Sequence, residues 1–208
     1  MQESNAERRT GLFLVVDGVD GCGKTTQARR LADALGVPEE LRLREPGSTA
    51  VGERLRELLL SREHHIEPAV ETLLFAAARR QMLDELVAPA LAAGETVVCE
   101  RFHPSTYAYQ AVAGELEEEA VLGLLHGWAG DPVPDRLFLL DVDVEEAARR
   151  RGAASDRIEA KGVEFQRRVA EGYRRYAERD PAARLIDGSG SEDEVHELLI
   201  REVARVCR

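Results

Sequence analysis

Positive charge is scarce in this chain of 208 residues: 28 lysines and arginines stand against 39 aspartates and glutamates, a formal net charge of -11. That balance argues against a general polyanion-binding surface, because nucleic-acid binding rests on phosphate neutralisation by Lys and Arg. Any phosphate site must therefore be local. Cysteine is also scarce: Cys22, Cys99 and Cys207 make neither an even disulfide set nor a clustered metal site. The five histidines, His64, His65, His103, His126 and His196, are scattered without metal-ligand spacing and are read as surface or packing residues. No apolar run approaches the ~20 residues that a membrane span needs, and the opening MQESNAERRT has no signal-peptide core. The expectation is a globular protein of the reducing cytoplasm with no membrane or nucleic-acid partner. Its length suits one domain over residues 1–208, with 1–10 a flexible N-terminus.

What the chain does carry is alternation. LFLVV, Leu12 to Val16, is short, apolar and rich in β-branched residues, as a strand buried on both faces should be. Similar runs recur at Leu41 to Leu43, Thr96 to Cys99, Arg136 to Leu140 and Arg184 to Ile186, separated by helical sequence. Five strands alternating with helices predict an α/β fold built on a five-stranded parallel sheet flanked by helices. The longest helical segment, about Ala69 to Ala93, has a broad apolar stripe of Val70, Leu73, Leu74, Ala77, Leu83, Leu86, Val87 and Leu91. Either this helix is central, or part of its stripe packs on another copy of the chain. The small, polar RGAAS between two helices suits a short mobile lid over about residues 149–160.

Between the first strand and its helix lies Gly18-Val19-Asp20-Gly21-Cys22-Gly23-Lys24-Thr25, followed by Thr26, a match to G-x-x-x-x-G-K-[ST] in the required strand-to-helix setting. Its glycines let backbone N–H groups turn towards phosphate oxygens, Lys24 reaches β- and γ-phosphates, and Thr25 offers a hydroxyl to Mg²⁺. ATP is the expected phosphoryl donor. Cys22 has two readings: a thiol of lowered pKa beside a helix start, or a small side chain that merely fits, the second being favoured. No Asn-Lys-x-Asp element for reading guanine occurs, which argues against a GTP switch.

With the P-loop, REPGS (Arg44 to Ser48), LLFAAAR (Leu73 to Arg79), ERFHPSTYAYQ (Glu100 to Gln110) and SDRIE (Ser155 to Glu159) follow one another in the order of bacterial thymidylate kinases, which the chain resembles over about residues 11 to 190. The resemblance implies a P-loop kinase fold, a homodimer, and phosphoryl transfer from Mg·ATP to thymidine 5′-monophosphate in dTTP synthesis. It also implies roles. Asp20 accepts from the acceptor's 3′-hydroxyl, Arg101 lies between the two nucleotides' phosphates, and Arg44 approaches the acceptor phosphate beside a pocket wall of Pro46 and Gly47. A structural ion pair stays open as the alternative for Arg44. Phe75 and Arg79, at i and i+4, project from one helix face to stack on and donate to a pyrimidine. Thr106 matches the position near the base N3, Tyr109 crowds C2′ against ribonucleotides, and Gln110 lies beside them.

Departures refine the resemblance. Glu100 replaces the usual Asp before Arg101, so its hold on Mg²⁺ is expected through water; Ser48 replaces a glycine, and Asp17 stands for a usual Glu. The P-loop itself carries no arginine, so the catalytic cation is assigned to the lid, with Arg157 first and Arg151 and Arg149 as further candidates; this places the chain with the lid-arginine subgroup. The second arginine cluster, Arg167 to Arg179, reads as helix surface. The competing readings are another nucleoside-monophosphate or deoxynucleoside kinase, a non-catalytic ATP-binding protein, and a nucleic-acid-dependent ATPase, the last opposed by the net charge.

Overall fold

The first apolar run continues further than its hydrophobicity alone suggests: β1 spans Phe13–Gly18, and every residue in it is buried, Asp17 included. The computed structural model describes residues 11–152, 158 and 161–206. Residues 1–10, Arg157 with Ser155, Asp156 and Glu159 of its motif, and Cys207 therefore lie outside the described residues.

After β1 come α1 (Lys24–Ala34), β2 (Arg42–Arg44), α2 (Ala50–Leu60), α3 (Pro68–Met82), a π-helical segment (Leu83–Val87), α4 (Ala88–Ala92) and β3 (Val97–Glu100). The short α5 (His103–Thr106) runs into a second π-helical segment (Tyr107–Val112), followed by α6 (Glu118–His126), β4 (Arg136–Asp141), α7 (Val144–Arg151), α8 (Val163–Arg179), β5 (Ala183–Asp187) and α9 (Glu192–Val206). The strands form one sheet in the order β2-β3-β1-β4-β5, every pairing parallel. All five expected strands are present, displaced by one or two residues; β2 starts late because Leu41 is taken into a 3₁₀ turn, Glu39–Leu41.

Strand order reverses at β1, which lies between β3 on one side and β4 on the other. In open parallel sheets a ligand crevice opens at the carboxyl ends of the strands at such a point. Asp17 and Gly18 of β1, Arg44 of β2 and Glu100 of β3 end there, with Glu100 in register with both Val16 and Arg44.

The long helical segment divides its stripe between two environments. Leu83, Val87 and Leu91 are buried in the core, whereas Val70, Leu73 and Ala77 of α3 face outwards. The wider turns of the π-helical segment between them shift the phase of the helix, so one sequence stripe becomes two faces. α8 is strongly amphipathic: Phe165, Val169, Ala170, Tyr173 and Tyr176 are buried, while Arg167, Arg168, Arg174 and Arg175 pair outside with Glu145, Glu115, Asp141 and Glu118. Exposed pairs of this kind contribute little to stability, about 0–1 kcal/mol each.

Candidate active site

Three glycines allow the loop after β1 to turn: Gly18, Gly21 and Gly23 all have positive φ. Gly21 shows why no side chain is tolerated. At φ +91° any L-residue is strained, and a Cβ there would lie 2.0 Å from the Ala147 carbonyl oxygen. The loop is thus pressed against α7, the helix that ends in Arg149, Arg150 and Arg151.

Two cavities meet at this loop. One, of about 430 Å³, is walled by Asp20, Lys24, Arg44, Pro46, Phe75, Arg79, Glu100, Arg101, Thr106, Tyr109 and Gln110, with Glu45, Arg56 and Ile158. The other, of about 610 Å³, is bounded by Gly21 to Gln27, Arg150 and the segment Gly188 to Val195. Gly21, Lys24 and Thr25 line both.

Where the cavities meet, Asp20 gathers the charges. Its Oδ1 accepts from Lys24 Nζ at 3.0 Å and from Arg101 Nη2, and its Oδ2 from the Tyr109 hydroxyl at 2.9 Å. Burial alone would raise the Asp20 carboxyl, but the charges of Arg101 and Lys24 and the donated hydrogen bonds outweigh it and hold the group well below the usual carboxylate range. Lys24 also donates to the Val19 carbonyl at 3.3 Å. Arg101 itself sits at φ +68° with its amide bonded to Val16 O at 3.0 Å, its guanidinium 5.6 Å from the Tyr109 ring centre and its Nη1 3.1 Å from Ser105 Oγ.

The far wall of the first cavity is organised by a buried ion pair. Arg79, 1% exposed, donates from Nε to both Glu45 oxygens at 3.0 and 2.8 Å, and from Nη2 to Glu45 at 2.5 Å and to Thr106 Oγ1 at 3.1 Å. Its Nη1 is buried with no hydrogen-bond partner among the described residues. A buried donor left unmade is costly, and Arg79 itself lines the cavity. Burial pushes the Glu45 carboxyl up against the pull of Arg79. Phe75 stands half-buried on the same wall, and Gln110 donates its amide to Glu71 at 2.8 Å.

Positive charge is in surplus at the cavity mouth. Arg44 is exposed and, among the described residues, its side chain makes only a long pair with Glu53 at 3.4 Å, so it serves the cavity wall and a weak ion pair together. Arg56, half-buried, donates to Pro46 O at 3.0 Å; burial first, then the neighbouring charges of Arg44 and Arg101, lower its pKa in spite of Glu53. Guanidinium groups crowded in this way favour an anion between them.

Oxygen ligands stand where the cavities adjoin, at Thr25, which lines both, and Glu100, which lines the first; the second cavity adds cations. Thr25 Oγ1 donates to Glu100 Oε1 at 2.9 Å, so the two sequence-assigned metal residues adjoin. Of the lid arginines within the described residues, Arg151 is nearest the P-loop: its Cβ lies 3.1 Å from the position a Gly21 Cβ would take, and its buried Nε has no partner among the described residues. Arg149 points elsewhere, pairing with Glu146 on an exposed face. Arg150, which the motifs did not single out, lines the cavity and donates to Gly188 O at 3.1 Å. Cys22 is buried, and burial pushes its thiol up in spite of Lys24; the packing reading of this residue stands and the lowered-pKa reading does not.

Several site residues carry no motif signal. Glu45 follows the arginine of REPGS, and the resemblance gives it no role; Arg56 lies among similar charges on α2. Asp17, fully buried, receives Gly18 N at 2.8 Å, Phe102 N at 3.1 Å and Ser105 N at 3.1 Å, and so ties β1 to the loop after β3.

A P-loop at the reversal point of a parallel sheet, with a cavity on either side of its lysine, defines a P-loop kinase. The thymidylate kinase family model matches residues 16–199. Among curated relatives, the thymidylate kinase of Caldanaerobacter subterraneus subsp. tengcongensis is 41% identical, over 93% of this chain and 95% of its own. That of Pelotomaculum thermopropionicum is 43% identical over 89% of each, and that of Prochlorococcus marinus (strain MIT 9313) is 47% identical over 79% of this chain and 81% of its own. The chain belongs to the thymidylate kinase family.

Proposed function

We propose that this chain transfers the γ-phosphoryl group of ATP to thymidine 5′-monophosphate, giving ADP and thymidine 5′-diphosphate. Membership of the thymidylate kinase family supports the substrates. The observation that carries the site assignment is the position of Arg101, which lines the first cavity and pairs with Asp20 of the P-loop, whose Lys24 lines both cavities.

In this reading an oxygen of the acceptor phosphate attacks the γ-phosphorus in line as the bond to the β–γ bridging oxygen breaks, and that electron pair leaves with ADP. No general base is required, because the attacking oxygen is already anionic and catalysis comes from positioning and charge neutralisation. Lys24 and the P-loop amides of Gly18 to Thr26 hold the donor phosphates, with Arg151 and Arg150 adding charge from α7. Arg101 orients the acceptor phosphate, and Arg44 and Arg56 hold it from the mouth. Arg79 and Thr106 address the base, with Phe75 as its stacking face. Asp20 and Tyr109 bound the sugar.

The Thr25 hydroxyl and Glu100 carboxylate are hard oxygen donors side by side, a set that fits Mg²⁺. When bound, Mg²⁺ would neutralise charge on the donor phosphates. We further propose a homodimer through the exposed apolar side chains of α2 and α3, and a cytoplasmic setting in which the buried free thiols Cys22 and Cys99 stay reduced. Among the described residues no helix is long and apolar enough to cross a membrane.

ADP release measured across dTMP, UMP, CMP, AMP and thymidine tests the assignment. The highest kcat/KM belongs to dTMP, and unphosphorylated thymidine gives no turnover. A higher kcat/KM with AMP or CMP would assign the chain to another nucleoside-monophosphate kinase activity.

A further inference from the structure

α8 approaches the acceptor wall more closely than side chains normally allow. Gly172 lies against Ala108 of the π-helical segment, where an added Cβ would fall 2.7 Å from Ala108 Cα and 2.9 Å from its Cβ. That contact seats the next residue, buried Tyr173, beside the polar cluster behind Arg101. The Tyr173 hydroxyl lies 2.8 Å from Asp17 Oδ1 and 2.9 Å from Ser105 Oγ, and Ser105 Oγ is itself 2.8 Å from Asp17 Oδ1.

Proton bookkeeping limits who donates, and in each arrangement that gives the Ser105 proton to Asp17 or Tyr173 the Ser105 oxygen is left to accept from Arg101. A carboxylate only accepts and each hydroxyl has a single proton, so both the Tyr173 and the Ser105 protons can be directed at Asp17. Burial pushes the Tyr173 phenol well above its ordinary value, which keeps that proton in place. The Ser105 oxygen is then turned, lone pair outwards, to Arg101 Nη1 at 3.1 Å. The guanidinium is held from one side by this oxygen and from the other by Asp20. Nothing in phosphoryl transfer itself calls on Tyr173, and its side chain does not line either cavity.

We propose that Tyr173 is a positioning residue: from α8, through Asp17 and Ser105, it fixes the acceptor oxygen that holds the Arg101 guanidinium at the wall of the first cavity, beside Asp20. The inference rests on the role given to Arg101 in the proposed function. Preorganisation of this kind matters because a group misplaced by about 1 Å can lose about a hundredfold in rate. It also makes α8, the first helix after the lid segment, a support of the acceptor site.

A double-mutant cycle on the full chain tests this against a plain structural role. Tyr173→Phe removes one oxygen and keeps the ring, and Arg101→Ala removes the group acted upon. Single-turnover rates with enzyme in excess keep the slow variants measurable, and dTMP affinity, ATP affinity and thermal midpoint are read alongside. In the wild-type background Tyr173→Phe lowers the transfer rate by about tenfold, in the range of couplings between residues of one network. ATP affinity stays unchanged. In the Arg101→Ala background the same substitution has no further effect on rate.

An equal loss in both backgrounds, or a wild-type rate in Tyr173→Phe, overturns the proposal. Should Tyr173→Phe not fold, Ser105→Ala enters the same cycle with the same two outcomes. The functional reading fails separately, since a wild type inactive on dTMP would remove the acceptor assignment, whereas an active wild type with an additive cycle removes only the role of Tyr173.

Discussion

Asp20 holds two cations, Lys24 and Arg101, that phosphate groups would otherwise claim, and it does so from within the P-loop. The trio satisfies itself within the chain; in the proposed function, ligand would turn Lys24 and Arg101 to phosphate and leave the carboxylate for the acceptor sugar. This exchange keeps both cations at the site without an uncompensated buried charge, which is costly in either state. The arrangement also has a signature in pH. Because the folded-state pKa of Asp20 is depressed, its contribution to stability is complete above the unfolded value and is lost as the pH falls through the folded one. Asp20→Asn should therefore destabilise the chain by about 1–3 kcal/mol near neutrality, the cost of weakening charged hydrogen bonds. The gap to wild type should narrow progressively below about pH 5, where the unfolded carboxyl starts to bind its proton. Urea unfolding of both proteins as the pH is lowered provides the measurement, and a gap that stays constant into strong acid would contradict the ion-pair account.

Elements inherit their positions from contacts between particular residues, and the contact of Gly172 on Ala108 is one that leaves no room for a side chain. Gly172→Ala inserts a Cβ against backbone, so α8 must move away from the π-helical segment. The expected cost is about 1–3 kcal/mol, as for overpacking elsewhere, read as a lower denaturation midpoint. Tyr109 and Gln110 lie on the segment that is displaced, so KM for dTMP should rise while KM for ATP holds. A variant with unchanged midpoint and KM would show that α8 has slack at this point. The same contact shows what sequence alone discloses. Strands such as LFLVV and Arg136 to Leu140 were legible because a strand buried on both faces must be continuously apolar, and the P-loop was legible because its glycines and Lys24 have few other uses. Gly172 looked like one more residue of an arginine-rich helix surface, since its partner Ala108 is 64 positions away. Glu45, Arg56 and Tyr173 were hidden for the same reason: each acquires its meaning from a neighbour that only the fold supplies. The π-helical phase change was equally silent, so the stripe from Val70 to Leu91 read as one face rather than two.

At the scale of the whole molecule, the chain leaves part of its apolar stripe outside. Leu73 is 57% exposed and Val70 49%, with Val51 and Leu58 of α2 also exposed, and α2 packs directly on α3. Apolar side chains placed singly on a surface need no explanation, but several on two adjoining helices mark a contact face. A second copy suits the face, because a two-fold contact sets identical helices against one another and none of these four side chains carries charge that would meet its own kind. The strongly negative net charge works against association by any other, more polar surface. Leu73→Glu tests this with little risk to the monomer fold, since the side chain is already exposed and the substitution sits on a helix that accepts Glu readily. Sedimentation velocity should find the wild type as a dimer and Leu73→Glu as a monomer with the same unfolding cooperativity. The other side of α3 bears Arg79 on the acceptor wall, so loss of the partner should also loosen that helix and raise KM for dTMP more than KM for ATP. A wild type that sediments as a monomer at micromolar concentration would remove the contact face, and a dimer undisturbed by Leu73→Glu would move it away from α3.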